Sequence, residues 1–157
     1  MQKRLLSHAS PPKKKKFQII SMGGEVFFMA ENHKWTIVVA TKDESTRRLV
    51  EGTLNDPESR VIAVSSVKEF FEILSENDID LIIYDPKITS LKGLDAFSIA
   101  KSYHPNIPSI LVYEQEKYEV TRSVLDKGVI YRMLKPINEE QLKQIDDSIR
   151  EPKTTDH

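Results

Sequence analysis

Asp80 to Asp85 read D-L-I-I-Y-D, four apolar or aromatic residues in succession that stop on a carboxylate. Leu81, Ile82, Ile83 and Tyr84 show no alternation, which is the pattern of a strand covered on both faces, as in a parallel sheet with helices above and below. Asp85 then falls at the carboxyl end of that strand, and Pro86, which cannot continue a ladder, turns the chain away. In an open α/β sheet this edge is where ligands and chemistry collect.

Outward from this stretch, strands alternate with helix-length segments from Trp35 to Arg150. Thr36–Ala40 (T-I-V-V-A) predicts a buried strand, followed by a helix from about Ser45 to Leu54, and Arg60–Val64 predicts a second strand. Ser66 and Glu69 have the spacing of a capping box, opening a helix whose apolar stripe is Phe70, Phe71, Ile73 and Leu74. After the organising strand, Gly93 allows a tight approach before a helix over Leu94–Tyr103, which His104-Pro105 ends because proline disfavours helical geometry in the residue before it. Ser109–Val112 predicts the fourth strand, Glu116–Lys127 a helix stopped by Gly128, and Val129–Leu134 the fifth strand. Asn138–Arg150 predicts a last helix with Leu142, Ile145 and Ile149 on one face. Five such units with short connections predict a flavodoxin-like α/β fold, (βα)5, with a doubly wound five-stranded parallel sheet.

Residues 35–150 therefore form the folded domain, residues 1–34 a basic, disordered leader with a hairpin-like arm, and residues 151–157 a polar tail. The arm is Phe17–Met29, two apolar segments about Gly23-Gly24, readable as a small β-hairpin or as an irregular arm lying on the domain. The net charge of −1 conceals an asymmetry: residues 1–16 hold six basic side chains and no acid. A lysine run such as Lys13–Lys16 suits nucleic acid, anionic lipid or an acidic protein face, but with no aromatic interleaved it reads first as a solvated leader. The absence of cysteine excludes disulfides and suits a reducing compartment, hence a cytoplasmic expectation. No apolar run is long enough to span a membrane, and residues 7–16 supply no hydrophobic segment for a secretion signal. His33 has no companion at metal-ligand spacing and reads as a surface residue.

Over Trp35 to Arg150 the chain resembles the receiver domain of two-component response regulators. Asp85 ends the third strand with Gly93 eight positions later, the family's spacing between phosphoacceptor and loop glycine, and Leu134-Lys135-Pro136 after the fifth strand matches its lysine and following proline. The family's X-Pro bond there is commonly cis. The resemblance implies Asp85 as phosphoacceptor, Lys135 contacting the phosphoryl group, and Mg²⁺ held by an acidic pair after the first strand. Here that pair is degenerate, with Thr41 and Lys42 at its positions and Asp43 as the acid a shifted loop would recruit. The switch positions differ too: Tyr113 stands where the family has Thr or Ser, Arg132 where it has an aromatic residue, and Thr89 where it has a proline. Lys42 is read as a built-in counter-ion to Asp85, opposite Lys135, which would neutralise the site without metal.

The reading that follows is a non-enzymatic, stand-alone receiver-like module of a phosphorelay, since only seven residues follow Arg150. It would act by binding a protein partner (a histidine kinase, phosphotransfer or effector protein) with weak or absent phosphorylation at Asp85. Tyr113, Tyr118, Tyr131 and Arg132 are the candidate anchors, because aromatic and arginine side chains dominate interface energetics. The alternatives are a conventional phosphorylated receiver with Asp43 recruited to the metal, nucleic-acid binding through the lysine tail, and a small flavodoxin-like enzyme or nucleotide binder. The last lacks any glycine-rich phosphate loop.

Overall fold

The computed structural model describes residues 5–6, 17–30, 33–89, 93–114 and 129–150. The helix expected over 116–127, Tyr118 within it, the lysine run and the tail from Glu151 lie outside these residues. The chain divides into two compact units, Met1–Lys34 and Trp35–His157. In the first, β1 (Leu5–Leu6), β2 (Phe17–Met22) and β3 (Glu25–Ala30) form an antiparallel sheet in the order β1-β3-β2. Met22 pairs with Glu25, so Gly23 and Gly24 alone make the turn. Their φ values of 58° and 84° give the two positive dihedrals a tight hairpin of this twist requires.

The second unit is built on five parallel strands: β4 (Trp35–Ala40), β5 (Ser59–Val64), β6 (Leu81–Tyr84), β7 (Ser109–Tyr113) and β8 (Val129–Leu134). Their order, β5-β4-β6-β7-β8, puts β6 at the centre, where all four residues are buried. Ile82, Tyr84, Val38, Ala40 and Leu111 face one side, against Phe70 and Leu74 of α2 (Val67–Glu76) and Phe97 of α3 (Gly93–Tyr103). Leu81, Ile83, Ile37, Val39, Ile110 and Val112 face the other, against Val50 and Leu54 of α1 (Glu44–Leu54) and Leu142 and Ile145 of α4 (Glu139–Arg150). Alternate residues of each strand thus feed two separate cores, which is why the strand sequences are apolar without alternation. Each large apolar side chain fully buried here contributes about 1.5–3 kcal/mol, enough in sum to hold a domain of this size.

The helix ends follow the local sequence. The Ser66 hydroxyl accepts from the Glu69 backbone N–H at 3.1 Å, as the capping spacing predicts. Asp43 caps α1 through Ser45 N at 3.1 Å, and Asn138 caps α4 through Gln141 N at 2.9 Å. The α3 helix ends at Tyr103, before His104-Pro105. One tie is not visible in any motif: the Trp35 indole donates to Asp146 Oδ1 at 2.9 Å. Arg150 Nε faces Asp146 Oδ2 at 2.8 Å as a charge contact rather than an aligned hydrogen bond, and its guanidinium lies 5.5 Å from the Trp35 ring centre. The first strand of the domain and its last helix are clamped together there. Burial pushes the Asp146 carboxyl above its ordinary value, against the opposing pull of Arg150 and Trp35.

Candidate functional site

Four strands deliver residues to one edge of the sheet. At their carboxyl ends β4 leads into Thr41, β6 into Asp85, β7 into Glu114 and β8 into Lys135. The backbone fixes their spacing: Asp85 N donates to Ala40 O at 2.9 Å, Thr41 N to Val64 O at 3.0 Å, and Lys135 N to Tyr113 O at 2.7 Å. The Lys135-Pro136 bond is cis. Behind Asp85 the chain makes a 3-10 turn, Pro86–Ile88, and Gly93 packs onto it. A Cβ on Gly93 would sit 2.7 Å from the Pro86 carbonyl carbon, so the loop closes only on glycine. The buried Tyr84 hydroxyl holds the same residue by donating to Gly93 O at 2.6 Å.

Asp85 is 3% exposed, and both its carboxylate oxygens are engaged. Oδ1 accepts from Lys87 N at 3.0 Å, while Oδ2 accepts from Thr41 Oγ1 at 2.8 Å and from Lys135 Nζ at 2.7 Å. Lys135, with its side chain 9% exposed, also lies 3.2 Å from Asp43 Oδ2 and 3.6 Å from Glu114 Oε1. One ammonium therefore serves three carboxylates. Burial by itself would lower the Lys135 pKa; the hydrogen bond and charge of Asp85, joined by those of Asp43, outweigh it and hold the lysine above its ordinary value. Asp43 is held below the usual carboxylate range, chiefly by the Thr46 hydroxyl that donates to its Oδ2 at 2.7 Å, with Lys135 adding to the pull against partial burial. Glu114 is likewise lowered, first by the hydrogen bond from Lys87 and its charge.

The expected site residues separate into those this edge gathers and those it does not. Thr41 turns inward and binds Asp85; its hydroxyl also accepts from Asp43 N at 3.0 Å. Asp43 swings toward the site, as a shifted loop would require. Lys42 is corrected: its side chain is exposed, and among the described residues Asp85 is ion-paired with Lys135 and not with Lys42. The strand geometry that turns Thr41 in turns its neighbour out, where a long hydrated ammonium is best solvated. The counter-ion reading of Lys42 is therefore wrong, and Lys135 holds the charge instead. Tyr113 contributes its backbone carbonyl to Lys135, and Arg132 is exposed on β8. Glu114 and Lys87, unremarked in the sequence, complete the cluster. Their signal was position alone, immediately after β7 and two residues after Asp85.

Mg²⁺, which the fold implies, needs carboxylate oxygens free to take it in near-octahedral geometry. The acids that would hold it already have partners, a cation among them: Asp43 accepts from Ser45 and Thr46 and pairs with Lys135, and Asp85 accepts from Thr41, Lys87 and Lys135. No group of three His, Cys, Asp or Glu residues among those described is arranged to hold a metal.

A central parallel sheet in this order, with an aspartate and a lysine meeting at its carboxyl edge, defines a receiver fold. Comparison agrees: the response regulator receiver domain model matches residues 37–146, and the chain belongs to that family. Among curated proteins it is similar to the two-component response regulator-like protein APRR9 of Arabidopsis thaliana, 25% identical over 113 residues that cover 69% of this chain and 24% of that protein. A second relative, the two-component response regulator-like PRR37 of Oryza sativa subsp. indica, is 24% identical over 113 residues, 69% of this chain and 15% of the relative. The chain thus spans about a quarter or less of the length of these relatives. Its fold is also that of the receiver domain of NtrX from Brucella abortus, with a TM-score of 0.64 and 20% identity, covering 72% of this chain and 96% of that one. The chemotaxis response regulator CheY4 of Vibrio cholerae gives 0.64 and 18%, covering 74% and 99%. No helix among the described residues is long and apolar enough to cross a membrane.

Proposed function

We propose that this receiver domain signals by binding a protein partner of a two-component-type pathway, with phosphorylation at Asp85 weak or absent. One observation carries the reading: the carboxylates a divalent cation would need are gathered on the Lys135 ammonium instead, at 2.7 Å for Asp85 and 3.2 Å for Asp43. Phosphoryl transfer to a carboxylate depends on positioning and on neutralising the incoming charge. Here the nucleophilic oxygens are buried and hydrogen-bonded, and Asp43, the acid a shifted loop recruits, is itself paired with Lys135. Tyr113, which stands at the position of the family's hydroxyl switch, offers a phenol in place of a short hydroxyl, and its backbone carbonyl accepts from Lys135 N. The similarity to proteins named two-component response regulator-like supports a role in a two-component-type pathway.

The test is incubation of the protein with acetyl phosphate and Mg²⁺, followed by intact-mass measurement beside an Asp85→Asn control. The proposal expects little or no gain of one phosphoryl mass in either protein. A stoichiometric gain in the parent that is lost in the Asn variant would instead establish a conventional phosphorylated receiver, with Asp43 recruited to the metal.

A further inference from the structure

Met1–Lys34 is a compact unit whose described strands form one three-stranded sheet. Below about 40 residues a unit buries too little surface to be stable alone, and normally draws on disulfides, a metal or association. The chain has no cysteine, and no group able to hold a metal is present among the described residues. Association remains, and the two edges of the sheet differ in their readiness for it. At one edge β1 is two residues long and is preceded by Lys3 and Arg4; shortness and charge both blunt an edge against further pairing. At the other edge β2 runs six residues in unbroken register with β3, from Phe17 opposite Ala30 to Met22 opposite Glu25. Its sequence, F-Q-I-I-S-M, contains no charge and no proline, so nothing in it opposes the approach of another strand.

We propose that β2 is a self-association edge whose occupant is the β2 strand of a second copy of this chain, paired antiparallel across a twofold axis. Such an axis stands perpendicular to the sheet and sets one residue of β2 opposite its own counterpart. With Ile19 or Ile20 at that place, residues 17–21 or 18–22 are paired, nearly the whole strand. The two sheets then join in the order β1-β3-β2-β2-β3-β1, and the open backbone N–H and C=O groups of both β2 strands are satisfied together. Charge favours this direction. The start of one β2, which Lys13–Lys16 precede in sequence, comes beside the turn end of the other, where Glu25 is exposed. A parallel pairing would instead set the two lysine runs side by side, like charge against like. The surface lies wholly in the first unit and is independent of the chemistry at Asp85.

The experiment uses the full chain, whose lack of cysteine makes a cysteine scan clean. Gln18→Cys, Ile19→Cys, Ile20→Cys and Ser21→Cys are oxidised separately and their cross-linked fractions read on non-reducing gels, beside sedimentation equilibrium of the parent. The parent is expected at twice its chain mass. Cross-linking is expected to peak at Ile19→Cys or Ile20→Cys and to fall severalfold at the other positions, because cysteines whose Cα atoms lie more than about 7 Å apart cannot be bridged. At the peak position, replacing Ile by Lys or by Glu is expected to give monomers singly and dimers when the two proteins are mixed, a rescue that a folding defect does not show. A parent that stays monomeric, cross-linking that is absent or equal at all four positions, or charge variants that fail to pair on mixing would overturn the proposal.

Discussion

Lys135 Nζ stands 2.7 Å from Asp85 Oδ2, a contact between residues fifty positions apart at the ends of β8 and β6, which β7 separates. The lysine crosses the end of an intervening strand to reach a carboxylate that is almost wholly buried. Removing one partner of such a pair leaves an uncompensated charge in the interior. Lys135→Met should therefore lower stability by about 3 kcal/mol in urea denaturation. Adding Asp85→Asn to it should recover most of the loss, since the amide oxygen can still accept from Lys87 N while its NH2 group donates to the Thr41 hydroxyl. Equal instability of the single and double variants would argue that the lysine matters through packing alone.

Asp43 has two roles that substitution separates. As the cap of α1 it accepts from Ser45 N, and as a charge it faces Lys135. Asparagine keeps the first role and loses the second, whereas alanine loses both and should cost about 1 kcal/mol more. Its folded pKa is depressed below the ordinary 3.8, so its charge contributes stability above that value and the contribution is lost as pH falls through the lower folded value. Acid titration of unfolding should show a shallower loss below about pH 4 in Asp43→Asn than in the parent.

Lys101 gives a response in the opposite direction. It is a lysine 1% exposed on α3, donating to the Ile107 carbonyl, and burial pulls its pKa down from 10.5 to about 8. Between those values the unfolded chain keeps a proton that the folded chain has released, so stability rises with pH across the window, by on the order of 2–3 kcal/mol. Denaturant midpoints at pH 7 and pH 9.5 should show the rise in the parent. In Lys101→Met it should vanish, with the variant already more stable at pH 7. Lys135 does not confuse the result, because its pKa is raised and its contribution is lost only above about pH 10.5. A flat response in the parent would contradict the assignment.

Two aromatic or apolar side chains are left outside on β8, Tyr131 at 40% and Leu134 at 45% exposed, beside exposed Arg132. If they anchor a protein partner, Tyr131→Ala and Arg132→Ala should each weaken binding of a phosphotransfer or effector protein by about 1–2 kcal/mol while leaving the denaturation midpoint nearly unchanged. Titration calorimetry checks the first and urea unfolding the second. Unchanged affinity for every detected partner would remove this edge from consideration.

The parallel sheet was legible because Leu81–Tyr84 and Thr36–Ala40 carry apolar residues on both faces, a pattern that a half-solvated strand does not produce. Asp85 and Lys135 were legible because each directly follows such a strand, and position at a strand end decides what can meet at the edge. The polarity of neighbouring residues there was not. Thr41 and Lys42 are adjacent, and only the backbone direction at the end of β4 determines that the hydroxyl enters and the ammonium leaves. Glu114 and Lys87 escaped notice for a related reason: a charged residue after a strand is ordinary, and its pairing depends on loops that converge in space. Lys101 did carry a signal, since it lies four residues after Phe97 on the buried stripe of α3, but burying a lysine runs against the usual behaviour of the side chain. The clamp of Trp35 on Asp146 spans 111 positions and follows no short pattern.

In the proposed function one ammonium, that of Lys135, stands in for a metal at this edge. Mn²⁺, a paramagnetic substitute for Mg²⁺, broadens the amide signals nearest to wherever it binds, and the full chain can be titrated with it directly. The prediction is uniform, weak broadening with no selective loss at residues 41–43 and 85–87, and selective loss appearing there in Lys135→Met, where Asp43 and Asp85 are released. Selective broadening of those residues in the unaltered protein would show that the carboxylates hold a metal despite Lys135, and would contradict the account.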